Sequence, residues 1–185
     1  MTAGEPTPQN SASQHAQTKN SGVGTATEPG SALSENTLDA LLCFDVYAAS
    51  RALTRAYRPL LEPLGLTYPQ FLVMQSLWET EALALPEQFT PPTVGALGER
   101  LALDSGTLSP LLKRLEAAGL VVRERSRQDE REVAVLLTTL GRELRAQASH
   151  VPAEITRLVA LTERERLTLQ ATLRRMRRNV EQTGE

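Results

Sequence analysis

The chain carries one cysteine, Cys43, and the residues that follow it at helical spacing include two tyrosines. From Leu38 to Leu60 the apolar positions Leu42, Val46, Ala49, Leu53, Ala56 and Leu60 form one seam. One residue out of step runs a second stripe: Cys43, Tyr47, Ser50, Thr54 and Tyr57. A thiol reacts through its thiolate, and its ordinary pKa of about 8.5 falls when hydroxyl groups donate to the sulfur. Tyr47, four residues on, can touch Cys43 within one chain. Tyr57 lies about 21 Å further along a straight helix, out of reach of its own Cys43. It is within reach of the cysteine on an antiparallel partner helix. The spacing therefore points to a thiol pocket completed by a homodimer.

The elements that position this stripe follow from the same chain. Residues 1–35 are rich in Ser, Thr, Gly, Pro, Gln and Asn, which predicts a disordered tail. Residues 36–66 read as an N-terminal dimerisation and sensor helix, running from Thr37 to Leu64 with a bend near Pro59 and a stop at Gly65. Thr67 and Gln70 form a capping box with Pro69 in the first turn. Phe71, Met74, Gln75 and Trp78 follow on one face. Glu81 to Pro92 breaks the pattern with three prolines and predicts a loop. Thr93 caps a short helix with Val94, Leu97 and Leu101 inward. The turn Ala102-Leu103-Asp104 leads into a helix over Gly106–Ala118, whose Leu108, Leu111, Leu112 and Leu115 repeat at the helical period. After Gly119, two β-prone runs, Leu120–Arg125 and Glu132–Leu137, flank a polar tip. Helices from Thr139, over Pro152–Leu161, and after the capping box Thr162/Glu165 complete the chain as a C-terminal dimerisation region, 139–185. The last helix buries Leu169, Leu173, Met176 and Val180 in a core or a dimer seam.

Helix, tight turn, helix and charged hairpin over residues 67–138 are the outline of a winged helix–turn–helix DNA-binding domain. With its leucines inward, the second helix presents Ser105, Gly106, Thr107, Ser109, Pro110 and Lys113 outward and Arg114 on the flank. Small hydroxyl residues allow close approach to base edges, and the cations suit phosphates or guanine. Arg125, Arg127 and Arg131 on the hairpin suit the neighbouring minor groove. Formal net charge is −2, so charge distribution carries the argument: residues 105–131 hold six basic against four acidic side chains. The fold class is thus mainly α with a small β-hairpin wing, and double-stranded operator DNA is the expected partner.

These segments resemble a known family. TVGALGERLALDSGTLSPLLKRL, Thr93 to Leu115, and the following EAAGLVVRERSRQDEREVAVLLT are similar to the MarR (multiple antibiotic resistance regulator) winged-helix repressors. Asp129 and Arg131, followed by Leu137-Thr138, match the wing signature, which implies a salt bridge between Asp129 and Arg131. LLCFDVYAASRALTRAYRPLLEPLGLTYPQFLVMQSLWE, from Leu41, narrows the likeness to the organic hydroperoxide resistance regulators, OhrR. The resemblance covers about residues 38–150 and implies that Cys43 is a peroxide sensor. It also implies that Tyr57 and Tyr68 reach that sensor from the opposite subunit, with Tyr47 nearby. The Glu81–Pro92 loop is longer than the family's usual link, which bears on the spacing of the two reading heads.

One cysteine admits no intrachain disulfide, so the routes for an oxidised Cys43 are a mixed disulfide with a small thiol, a sulfenamide, over-oxidation, or an interprotomer Cys43–Cys43 disulfide, which demands a Cα separation below about 7 Å. A single unpaired thiol also fits a reducing cytoplasm. No Cys/His ligand spacing and no phosphate-binding loop is present, so neither metal nor cofactor is expected. No apolar run approaches the roughly 18 residues of a membrane span. An enzymatic alternative, a thiol peroxidase, lacks a resolving cysteine and a paired histidine base. A second alternative is a repressor of the same fold that responds to a small phenolic-type ligand, with Cys43 a bystander.

Overall fold

The structure, a computed structural model, describes residues 37–85, 89–126, 129 and 131–183. The tail over 1–35, the loop residues Pro86 to Gln88 and the wing-tip Arg127 lie outside the described residues. The chain divides after Leu42. Before the division stands a 3-10 turn, Leu38–Ala40, closed by the extended residue Leu41.

Helix α1 spans Leu42–Leu61. The uninterrupted helix expected from Thr37 to Leu64 is therefore broken at Leu41 and tightened at its end into a 3-10 turn, Glu62–Leu64. Pro63 lies inside that turn, and with no N–H it cannot continue the α-helical ladder. Pro59 is tolerated within α1 because it and Arg55, whose carbonyl it leaves unpaired, both face solvent. Gly65 then turns the chain at φ 65°, a left-handed conformation that suits glycine.

Helix α2, Tyr68–Leu83, is the central element. Thr67 donates its amide and its hydroxyl to the Gln70 side chain, each at 2.9 Å. Where one inward face was expected, α2 buries Phe71, Val73, Met74, Ser76, Leu77 and Trp78 on several sides. A helix apolar nearly all round is an interior helix. It also runs to Leu83, past the expected start of the loop. Around it pack α3 (Val94–Leu101), α4 (Ser105–Ala117), the hairpin of β1 (Val121–Arg125) and β2 (Val133–Leu137), and α5 (Thr139–Ala148). The strands are antiparallel with Val121 opposite Leu137 and Arg125 opposite Val133. Pro92 and Thr93 add a short third rung on the far edge of β2, through the Thr93–Ala134 bridge and the Val135 amide to Pro92 carbonyl bond of 2.9 Å.

Leucines from α4 (Leu108, Leu112, Leu115) meet Met74, Leu77 and Val135 in one core. A long-range bond ties it to the C-terminal half: the indole N–H of Trp78 donates to the Gly141 carbonyl at 2.8 Å. Helices α6 (Val151–Val159) and α7 (Glu163–Thr183) follow, the latter opened by the full Thr162/Glu165 capping box. No residue of α7 is buried. Its expected seam, Leu169, Leu173, Met176 and Val180, is uncovered in the protomer, with Val180 68% exposed. The protomer core therefore does not use that face.

Candidate functional site

Two groups of predicted site residues stand on different elements. The first is the outer face of α4. Its start is fixed by Asp104, whose carboxylate accepts from the Thr107 amide at 2.8 Å and the Thr107 hydroxyl at 3.1 Å. Those bonds hold the Asp104 carboxyl below the usual carboxylate range. They also engage the Thr107 hydroxyl in the free chain. Sequence reading placed Asp104 in the turn and missed it as the cap, although an Asp directly before an apolar-periodic helix is the signal for one. The turn itself is tight: Ala102 is left-handed at φ 52°, and the Leu103 amide donates to the Gly98 carbonyl at 2.9 Å. A side chain at Gly98 would crowd the Leu103 carbonyl.

Ser105, Thr107, Ser109, Pro110, Lys113 and Arg114 are all exposed, while Leu108, Leu111, Leu112 and Leu115 are buried. Pro110 is the sixth residue of α4, beyond its first turn. Its missing N–H leaves the Gly106 carbonyl without its helical partner, on the exposed face. Arg125 and Arg131 lie exposed on the hairpin. Asp129 and Arg131 meet by a different contact from the expected salt bridge. The Asp129 carboxylate accepts from the Arg131 backbone amide at 2.9 Å, which tightens the wing turn. A second pair escaped the sequence reading altogether. Glu116, in the last turn of α4, accepts from Arg123 of β1 at 2.6 and 3.0 Å and from the Arg123 amide at 3.3 Å. No spacing rule announces such a pair, since it depends on how the hairpin folds back.

The second group lies on α1 and the start of α2. Cys43 is an exposed, free thiol. Tyr47 is also exposed, and the Arg51 guanidinium sits 5.6 Å from its ring centroid, a cation–π contact. Tyr57 and Tyr68 come together within one protomer, their ring centroids 4.3 Å apart, with Phe71 behind Tyr57 at 5.8 Å. Both tyrosines are half-buried. Burial raises both phenol pKa values, and the neighbouring Tyr68 raises that of Tyr57 further. Each phenol thus keeps its proton and remains a hydrogen-bond donor at neutral pH. Tyr68 borders an open cleft of about 530 Å³ between the end of α1 and the start of α2, shared with Thr54 and Arg58. The two halves of the expected thiol site are thus a pair of phenols, of which Tyr68 borders the cleft, and an exposed thiol nearly four helical turns before Tyr57 on α1.

Comparison with known proteins follows from this geometry. Residues 55–147 match the family described as transcriptional regulator SarA/Rot. The chain is 49% identical over 140 residues to the HTH-type transcriptional regulator TtmR of Methylorubrum extorquens, spanning 76% of this chain and 67% of that protein. It is 48% identical over 118 residues to the organic hydroperoxide resistance transcriptional regulator of Bacillus subtilis, spanning 64% and 74% respectively. Among solved structures, reduced AbfR bound to DNA is similar at a TM-score of 0.64 and 30% identity, over 80% of this chain and 95% of that one; AbfR is a Staphylococcus epidermidis protein.

Proposed function

We propose a function from the premise that this chain belongs to the SarA/Rot family of winged-helix transcriptional regulators, as a MarR-type, OhrR-like member. It is a homodimeric repressor that holds operator DNA when reduced and releases it when an organic hydroperoxide oxidises Cys43. The observation that carries this reading is the Tyr57–Tyr68 pair at the cleft, set against a Cys43 on the same chain that lies exposed. An antiparallel second copy brings its Cys43 to that cleft, and the protonated phenols then donate to the sulfur. Donation stabilises the thiolate, the form of sulfur that attacks a peroxide.

The redox step balances simply. The thiolate attacks the distal oxygen of the hydroperoxide, the O–O bond breaks, and the alkoxide leaves and takes a proton. Sulfur is oxidised by two electrons to the sulfenic acid, and the peroxide is reduced to an alcohol. Phe44 and Val46, both partly exposed in the protomer, give the site an apolar flank that favours alkyl over small polar peroxides. The oxidised sulfur no longer accepts from the phenols as a thiolate does. The consequence reaches the reading head through α2, because Tyr68 is its first residue and Trp78 its anchor to α5. Heads that must sit about 34 Å apart to meet successive turns of DNA tolerate little rotation. Oxidation therefore shifts a two-state dimer toward its non-binding form.

The supporting geometry at the DNA face is the outward row Ser105, Ser109, Pro110, Lys113 and Arg114 of α4, with Arg125 and Arg131 on the wing. AbfR, similar over most of its length, was solved on DNA in its reduced state. The test is a gel shift with the DNA upstream of the regulated gene. Cys43→Ser binds that DNA as the parent does and keeps it after cumene hydroperoxide treatment, whereas the parent lets go. A Cys43→Ser protein that still releases would overturn the sensing role.

A further inference from the structure

The outer face of α4 carries one residue at odds with a surface that meets phosphates. Ser109, Lys113 and Glu116 are spaced four and three apart and so share one stripe, on the flank beside the buried leucines. A bare carboxylate there repels the DNA backbone. The structure covers it: both oxygens of Glu116 accept from Arg123, one from the guanidinium at 2.6 and 3.0 Å, the other from the backbone amide at 3.3 Å. Each of the two side chains is about one-third exposed, 33% and 35%, so the pair is partly withdrawn from water and less screened than a fully exposed one. Arg123 also lines a cleft of about 370 Å³ with Ser109, Arg131 and Val133, which places it at the junction of reading helix and wing.

We infer that Glu116 is a positioning residue that limits sequence-independent affinity: it holds Arg123 against the root of the wing and withholds that cation from DNA phosphates. The inference rests on the DNA-binding reading above. Phosphate contacts add affinity for any sequence, whereas base contacts distinguish one sequence from another. A cation at the helix–wing junction that is free to find phosphate raises binding to all DNA. The same cation pinned to Glu116 leaves discrimination to the start of α4 and fixes the pitch of the wing.

The magnitude follows from counterion release. One more neutralised phosphate steepens the dependence of log K on log salt by about 0.9, or about 3.5-fold in affinity across a fourfold salt range. The experiment is fluorescence-anisotropy titration of the reduced full chain against two duplexes, between 50 and 200 mM KCl. One duplex is the best binder the protein selects from a random pool, and the other is a scrambled duplex of the same length. Glu116→Gln steepens the salt slope by about 0.9 on both duplexes and leaves the ratio of selected to scrambled affinity unchanged. The Glu116→Gln, Arg123→Gln double variant keeps the parent's slope, because the cation that Glu116 restrains is gone. An unchanged slope in Glu116→Gln, or the same increment without Arg123, overturns the inference. A parent protein that binds neither duplex overturns the DNA-binding reading itself, a distinguishable failure.

Discussion

Gly141 is the position at which one methyl group should cost most. It is the third residue of α5, where its own backbone lies against the Leu120 carbonyl at the entry to β1. A Cβ added at Gly141 lands on that carbonyl oxygen and close to a Leu137 methyl at 3.3 Å, and neither the strand nor the helix start is a flexible end that can swing away. The Leu120 carbonyl is also the acceptor for the Thr138 amide at 3.1 Å, so a shift there loosens the cap of α5. The Gly141 carbonyl is in turn the acceptor for the buried Trp78 indole N–H, at 2.8 Å. Overpacking of this kind costs about 1–3 kcal/mol. Straining a buried hydrogen bond adds about 1–3 kcal/mol. The better helix propensity of alanine returns about 1 kcal/mol. Gly141→Ala is therefore expected to lose about 1–5 kcal/mol, a fall in Tm of about 2–20 °C for a chain of this size. Urea unfolding followed by tryptophan fluorescence measures it at the site, since Trp78 is the chain's one tryptophan. Trp78→Phe, which removes the indole donor without the clash, should give the smaller loss when both variants are followed by circular dichroism. A Gly141→Ala urea midpoint equal to the parent's, at matched protein concentration, would refute the close-packing argument.

Two further outcomes follow from the thiol site and the uncovered helix face. Replacing Tyr57 and Tyr68 together by Phe removes both phenol donors while keeping the stacked rings. The rate of sulfenic acid formation at Cys43 at pH 7 should fall about tenfold or more, because the reactive thiolate loses its donors. A rate unchanged by the double variant counts against phenol donation. Leu169 and Leu173 are 47% and 39% exposed in the protomer. If α7 closes a dimer, four such leucines finish burying there, worth about 3–6 kcal/mol or two to four decades in Kd. Leu169→Glu with Leu173→Glu should therefore sediment as a monomer at micromolar concentration, and a variant that stays dimeric places the seam elsewhere.

Periodicity made the reading head legible. Leu108, Leu111, Leu112 and Leu115 announce α4 and its buried side, and Gly119 with two β-prone runs announces the hairpin, because each is a local signal within a dozen residues. The caps Thr67, Thr93 and Thr162 were legible for the same reason. What escaped depends on pairings between distant segments. The Trp78–Gly141 bond spans 63 residues, and the Glu116–Arg123 pair exists only once β1 folds back over the end of α4. The added rung at Pro92–Thr93 likewise depends on β2 being in place. The one-sided pattern read into α2 failed because an interior helix is contacted from several directions, so the period that marks a surface helix fades.

The terminal helices argue the other way, from structure back to sequence. The stripes on α1 and α7 have the spacing of packed seams, yet of α1 only Leu61 is buried and of α7 nothing is. A sequence period that a protomer leaves unused is a period meant for a second surface, since apolar faces repeated over 20 residues cost solubility unless covered. The same helix that carries this unused face carries Cys43, Tyr47 and Tyr57. On the proposed reading, the chemistry of the thiol and the association of the chains share one helix, in two stripes one residue apart. A one-residue insertion in the middle of α1 turns half of each stripe away from its partner surface, so dimerisation measured by sedimentation and the rate of Cys43 oxidation by cumene hydroperoxide should fall together; loss of one without the other would refute the shared-helix argument.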